Sequence, residues 1–300
     1  MSSEKKLTVK RLVIFLVISF IPFMILIPIL WAVYGEPIYT SKNENVAVVV
    51  YILGVFGMMI PSAANLITRL VTKEGFKNSY LGVHFKGKGG YWFASVAIKV
   101  FEGWAGLFLL WAIFFKGTAF YEVYPNINTE NIGVYLLQLS LSVIIFFPAF
   151  GEEWGWRGYM MPRLLELMPK PVAVIVGGVI WGLWHAPLTV AGHNFGTDYI
   201  GYPFVGIAVM CLFCVLMNCF LTLVTEKTRS IYPASFIHMI NNNMSAAVLL
   251  TVFGSEASIH KIQGLNSIEL FFSMFGITAL TAVISFVLFV KKDKSQIQSV

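Results

Sequence analysis

LVIFLVISFIPFMILIPILWAVY (Leu12–Tyr34) runs from end to end without a charged side chain. At about 1.5 Å of rise per residue, some 20 apolar residues cross the roughly 30 Å hydrocarbon core of a bilayer. Amides in lipid must bond within their own segment, so runs of this kind are read as helices. Seven more predominantly apolar runs follow, at Val46–Leu70, Tyr91–Phe115, Ile132–Phe150, Val172–Val190, Phe204–Val224, Ile231–Phe253 and Ile268–Val290. The expectation is an all-α polytopic membrane protein, a bundle of about eight transmembrane helices forming one membrane domain over 1–300.

Composition agrees. With 57% hydrophobic and 12% charged residues and a mean hydropathy of +0.76, this is not a water-soluble globule. The net charge of +6 does not point to nucleic acid, since no Lys/Arg stripe with interleaved aromatics is present. Lys5, Lys6, Lys10 and Arg11 precede the first run as in a signal peptide. That run is too long for a signal h-region and has no clear small-x-small cleavage site, so a retained anchor is expected.

Basic residues set the orientation. Four lie before the first run, five in 69–90, three in 151–171, two in 225–230 and three in the C-terminal tail. The alternate loops carry Lys42, Lys116 and Lys261. The positive-inside rule then places both termini and the basic segments in the cytoplasm, and an even number of spans satisfies it. The membrane is expected to be the plasma membrane of a bacterium.

Polar residues inside such a chain are costly, and this makes them informative. Lys99 and Glu102 are three apart and share a helix face, which favours an interior-facing structural pair over the alternative that Tyr91–Val100 lies along the interface and the crossing begins later. Asn65, Gln138 and Asn218 read as interhelical glue. His84, His193 and His260 fall in loops and read as solvated. Cys211, Cys214 and Cys219 share one apolar run with no second thiol pair, so packing rather than zinc or redox chemistry is expected.

The remaining polar residues form three motifs. GEEWGWRGYMMPRL (Gly151–Leu164) follows the fourth run. If helix continues, Glu153 and Arg157 are i and i+4 and form an ion pair, while Glu152, about 100° around the helix, stays available as a base. WGLWHAP places His185 in the fifth run, and SFIHMINNN puts His238 and Asn242 at i and i+4 in the seventh. Asn241 and Asn243 point elsewhere and read as cap or packing residues. Singly, each histidine reads as a helix-bonding residue. Together the set supplies a base for water, a polarising group and donors for an oxyanion, which amide hydrolysis needs.

These motifs resemble the CPBP intramembrane protease family, which includes CAAX prenyl endopeptidases and the Abi and bacteriocin-processing proteins. The matching residues are Glu152-Glu153-x-x-x-Arg157, Trp181-x-x-x-His185 and His238-x-x-x-Asn242, with Trp181 in place of the usual Phe. The resemblance covers about 132–253. It implies that Glu152 activates the attacking water with help from His185. His238 and Asn242 would stabilise the tetrahedral intermediate, and Glu153–Arg157 would hold the architecture. A divalent metal such as zinc would draw on Glu152, His185 and His238 as ligands; a metal-independent glutamate mechanism is the other scheme.

The function expected is therefore an intramembrane endopeptidase of the CAAX-protease type, a hydrolase whose partners are a peptide or lipidated protein substrate and the lipid bilayer. Its oligomeric state is not legible. The alternatives are a non-enzymatic membrane scaffold or bacteriocin-immunity protein with a structural polar cluster, and a transporter using the set as a proton relay. Depth raises a tension, however. His185 lies about 21 Å along the fifth run from Pro171 and His238 about 10 Å along the seventh, while Glu152 is expected near the cytoplasmic surface. A shared water-filled cavity opening to the cytoplasm requires those boundaries to move.

Overall fold

The computed structural model describes residues 2–141, 143–263, 265 and 267–291. All regular structure among them is helical. In chain order the helices are α1 (Ser3–Tyr34), α2 (Glu44–Gly57), α3 (Ile60–Val71), α4 (Gly89–Phe114), α5 (Phe120–Val123), α6 (Thr129–Leu141) and α7 (Val143–Gly155). A π-helical turn (Trp156–Met160) leads into α8 (Met161–Leu167) and α9 (Lys170–Trp184). α10 (Ala186–Val190), α11 (Phe204–Thr228), α12 (Tyr232–Asn243), α13 (Ala246–Phe253), α14 (Glu256–Gln263) and α15 (Ser267–Val290) complete the chain.

Among the described residues α1, α4 and α11 are each long and apolar enough to cross a membrane. The α2–α3 pair, bent by 40°, and the α12–α13 pair, bent by 44°, raise this to five if each counts as one span. α9 is a shorter apolar helix. The predicted fourth span falls on α6 and α7 with residue 142 outside the described residues, as are the tail lysines beyond 291. The fold is polytopic and helical; eight spans is a larger number than helix length alone supports.

Local sequence explains the boundaries. α1 begins at the Ser2 cap, whose side chain accepts from the Lys5 amide, and ends at Gly35, whose φ of 73° is the left-handed conformation that glycine adopts freely. Pro61 in the first turn of α3 helps set the α2–α3 break, since it has no amide for a continuous ladder. At His185-Ala186-Pro187 the same effect separates α9 from α10.

Packing is closest between α9 and α11. A Cβ on Gly178 would sit 2.4 Å from the Val215 Cα, and one on Gly182 would sit 2.4 Å from the Cys211 Cα. Small residues let helix backbones approach in this way. Asn218 of α11 adds a bond to the Val174 carbonyl at 2.7 Å, and Asn65 of α3 donates to the Trp154 carbonyl at 2.9 Å, as interhelical glue should. Gln138 is instead exposed on α6. The core has two apolar clusters, and α12 contributes Ala234 and Ile237 to one and Met239 and Ile240 to the other. The candidate site lies along that seam.

Lys99 and Glu102 form the expected interior pair. Lys99 Nζ lies 2.5 Å from Glu102 Oε2, both residues are buried, and Thr278 Oγ1 of α15 donates to the same oxygen at 3.1 Å. The three cysteines are free thiols.

Candidate active site

The fourth run does not end where its hydropathy falls. Helix continues through Glu152, the π turn and α8 as far as Leu167. α9 then returns from Lys170 to Trp184, which adjoins His185. At about 1.5 Å per residue each path is roughly 22 Å long, so an antiparallel return brings Glu152 and His185 to a similar level. This removes the depth tension, which came from treating Gly151–Leu164 as the end of a span. A π turn beside the reactive residues also fits the frequent placement of such turns at functional sites.

Glu152, His185, His238 and Asn242 all line one cavity of about 540 Å³. Its wall also includes Trp181, Asn241 and the Lys99–Glu102 pair. Glu152 is buried, and its Oε2 accepts two indole N–H groups, from Trp181 at 2.8 Å and Trp156 at 3.3 Å. Oε1 has no hydrogen-bond partner among the described residues.

Glu153 and Arg157 lie behind this wall. Arg157 Nη1 donates to Glu153 Oε1 at 3.0 Å, the predicted i,i+4 pair, with both side chains buried. His238 Nδ1 also lies 2.8 Å from Glu153 Oε1, a contact no local spacing announces. The carboxylate can only accept, so it orients the imidazole through Nδ1–H and leaves Nε2 for substrate. Arg157 Nε and Nη2 and Glu153 Oε2 have no hydrogen-bond partner among the described residues. The guanidinium instead stacks on Trp181, 4.0 Å from the ring centroid.

His185 Nδ1 lies 2.9 Å from the Trp181 carbonyl. A carbonyl only accepts, so Nδ1 carries the hydrogen and a neutral ring keeps its lone pair on Nε2. Asn242 is exposed to the cavity at the end of α12, and Asn241 donates to its Oδ1 at 3.4 Å. Asn241 thus belongs to the cavity wall, contrary to the packing role expected from its register. Asn243 fits that role: its amide donates to the Met239 carbonyl at 2.8 Å, and its own carbonyl accepts from the Tyr135 hydroxyl at 2.6 Å.

The cavity extends in an unexpected direction. Its wall includes Tyr39, His193 and Asn194, from loops that the charge distribution assigns to the side opposite the cytoplasm, and no residue of 69–90 or 225–230. The two loops meet where the Tyr39 amide donates to the Ala191 carbonyl at 3.1 Å. His193, expected to be solvated, is half-buried with its ring 4.7 Å from that of Tyr39. Burial lowers its pKa to about 4 and raises that of Tyr39 to about 12. His84 and His260 are exposed, as expected.

Glu152, His185 and His238, on which a zinc would draw, line the cavity together. Among the described residues, no group of three or more His, Cys, Asp or Glu side chains is arranged to hold a metal ion. Glu152 Oε2, moreover, is already engaged by two indole donors.

No curated protein compared with the chain matches it. One family model does match, over residues 135–244, and it is described as type II CAAX prenyl endopeptidase Rce1-like, a peptidase family. That stretch falls within the 132–253 core marked out by the motifs and contains all six candidate residues. Over residues 135–244, a little more than a third of the chain, the protein is therefore similar to that family.

Proposed function

We propose that this protein is an intramembrane endopeptidase that hydrolyses a peptide bond of a membrane-associated or lipid-modified substrate, using a water activated by Glu152. It would reside in a bacterial plasma membrane with both termini cytoplasmic. The observation that supports this most is the meeting of Glu152, His185 and His238, from three separate helices, on one cavity wall.

In the proposed reaction Glu152 Oε1 takes a proton from water as the oxygen adds to the scissile carbonyl carbon. His185 helps to position that water through Nε2. His238, through a protonated Nε2, and the Asn242 amide donate to the oxyanion that develops. Glu152 then passes its proton to the leaving amine, the C–N bond breaks, and a carboxylic acid and an amine result. Glu153 and Arg157 position His238 and the Trp181 ring. This route has no metal step. Elemental analysis before and after chelation tests that part, and stoichiometric zinc whose removal abolishes activity would overturn it.

The principal test is Glu152→Gln, assayed on a farnesylated C-a-a-X reporter peptide. The amide keeps an acceptor for the indole N–H groups but cannot take the proton. Cleavage is expected to vanish while membrane insertion and melting temperature persist. Undiminished cleavage by this variant would refute the assignment.

A further inference from the structure

Trp181 touches four of the six candidate residues. Its indole N–H donates to Glu152 Oε2 at 2.8 Å, and its ring carries the Arg157 guanidinium at 4.0 Å. Its carbonyl accepts from His185 Nδ1 at 2.9 Å, and its ring centroid lies 5.6 Å from that of His238 in an edge-on contact. The contacts use the indole N–H, the ring and the carbonyl, so one side chain and its backbone define the relative placement of base, cation and imidazoles. α9 can present it in this way because Gly178 and Gly182 seat the helix directly on the backbone of α11.

The hydrogen bonds to Glu152 are unevenly distributed. Both indole donors converge on Oε2, one from α9 and the other from Trp156, a turn further along the Glu152 helix. A carboxylate held by one oxygen from two directions has lost most of its rotation about the terminal torsion, which is otherwise broad. The second oxygen is then fixed in direction without being used.

We infer that Trp181 is a positioning residue, whose N–H clamps Glu152 Oε2 so that Oε1 is the oxygen presented to the attacking water. This rests on the reading of Glu152 as the base. Phenylalanine at this position would keep most of the ring packing and the cation stacking but could not form the clamp. The base would then sample orientations from which proton transfer is unproductive. Misplacement of a catalytic group by about 1 Å can cost around 100-fold in rate.

The test replaces Trp181 with 3-benzothienylalanine, which retains the two-ring shape and exchanges the N–H for sulfur. Trp181→Phe, Trp156→Phe and Glu152→Gln are measured beside it on an internally quenched farnesylated C-a-a-X peptide. The isostere is expected to lose roughly 10- to 100-fold in kcat, with KM within about twofold of wild type and an unchanged melting temperature. Trp181→Phe should match that loss in kcat, and Trp156→Phe, whose bond is longer, should lose less. Wild-type kcat in the isostere, with Glu152→Gln inactive, overturns the clamp alone. A raised KM at unchanged kcat also overturns it, because Trp181 would then be packing against substrate. If the wild-type protein leaves the peptide intact, or Glu152→Gln cleaves it, the reading of the base fails and the clamp falls with it.

Discussion

His238 Nδ1 lies 2.8 Å from Glu153 Oε1, so a residue of α12 and a residue of α7 share a bond across 85 positions of the chain. The same oxygen already accepts from Arg157. Glu153 is therefore the common acceptor for two buried donors, and its loss strands both.

Glu153→Ala is expected to destabilise the protein strongly. Removing one member of a buried ion pair costs about 3–5 kcal/mol, because the remaining charge has no partner. Thermal melting in detergent should show a large drop, and immunoblots a fall in abundance. Glu153→Gln, whose amide oxygen still accepts, should be milder. Wild-type melting of the alanine variant would show that Arg157 has other support.

Gly182→Val tests the seating of α9. Its side chain would begin 2.4 Å from the Cys211 Cα, and neither backbone can yield without the helices separating. Overpacking costs about 1–3 kcal/mol, and the shift would carry Trp181 and His185 away from Glu152. Both melting temperature and peptide cleavage should fall. Normal cleavage would mean that α9 tolerates displacement.

Lys99 and Glu102 separate a structural pair from a reactive one. Lys99→Met alone leaves a buried carboxylate unpaired and should melt well below wild type. The double variant Lys99→Met/Glu102→Met should recover most of that loss, since apolar replacements of buried pairs are often neutral or stabilising. A double variant no more stable than the single one would contradict the structural assignment.

His193 predicts a pH dependence on the acid side. Burial lowers its pKa to about 4, against about 6.5 in an unfolded chain. Between these values the unfolded chain binds the extra proton, so this contribution is complete above about pH 6.5 and declines towards pH 4. Melting temperature should fall across that window in the wild type and fall less in His193→Gln. Parallel curves for the two proteins would remove His193 from the account.

Much of the site was legible because its pairs are local. Glu153 with Arg157, and His238 with Asn242, are spaced by one helical turn, so periodicity alone placed them on shared faces. The Lys99–Glu102 pair followed from the same rule. The bond between His238 and Glu153 could not be read in this way, since nothing in either segment encodes the other. The roles of Trp181, Tyr39 and His193 were hidden for a different reason: an indole or imidazole in an apolar setting reads as bulk or as loop until its neighbours are known. Asn241 was misplaced because α12 ends shortly after it, where the chain opens onto the cavity. Hydropathy also misjudged depth, because Gly151–Leu164 is polar yet helical and interior.

The end of α9 has a chemical consequence. In an uninterrupted helix the amide of residue 185 would occupy the Trp181 carbonyl, but here that amide turns to Gly182 at 3.1 Å. The vacated oxygen is taken by the imidazole of the same residue. A backbone irregularity next to Pro187 thus decides which ring nitrogen bears hydrogen before any ligand arrives. The choice of tautomer is written into the main chain, and no neighbouring acidic side chain is needed to enforce it.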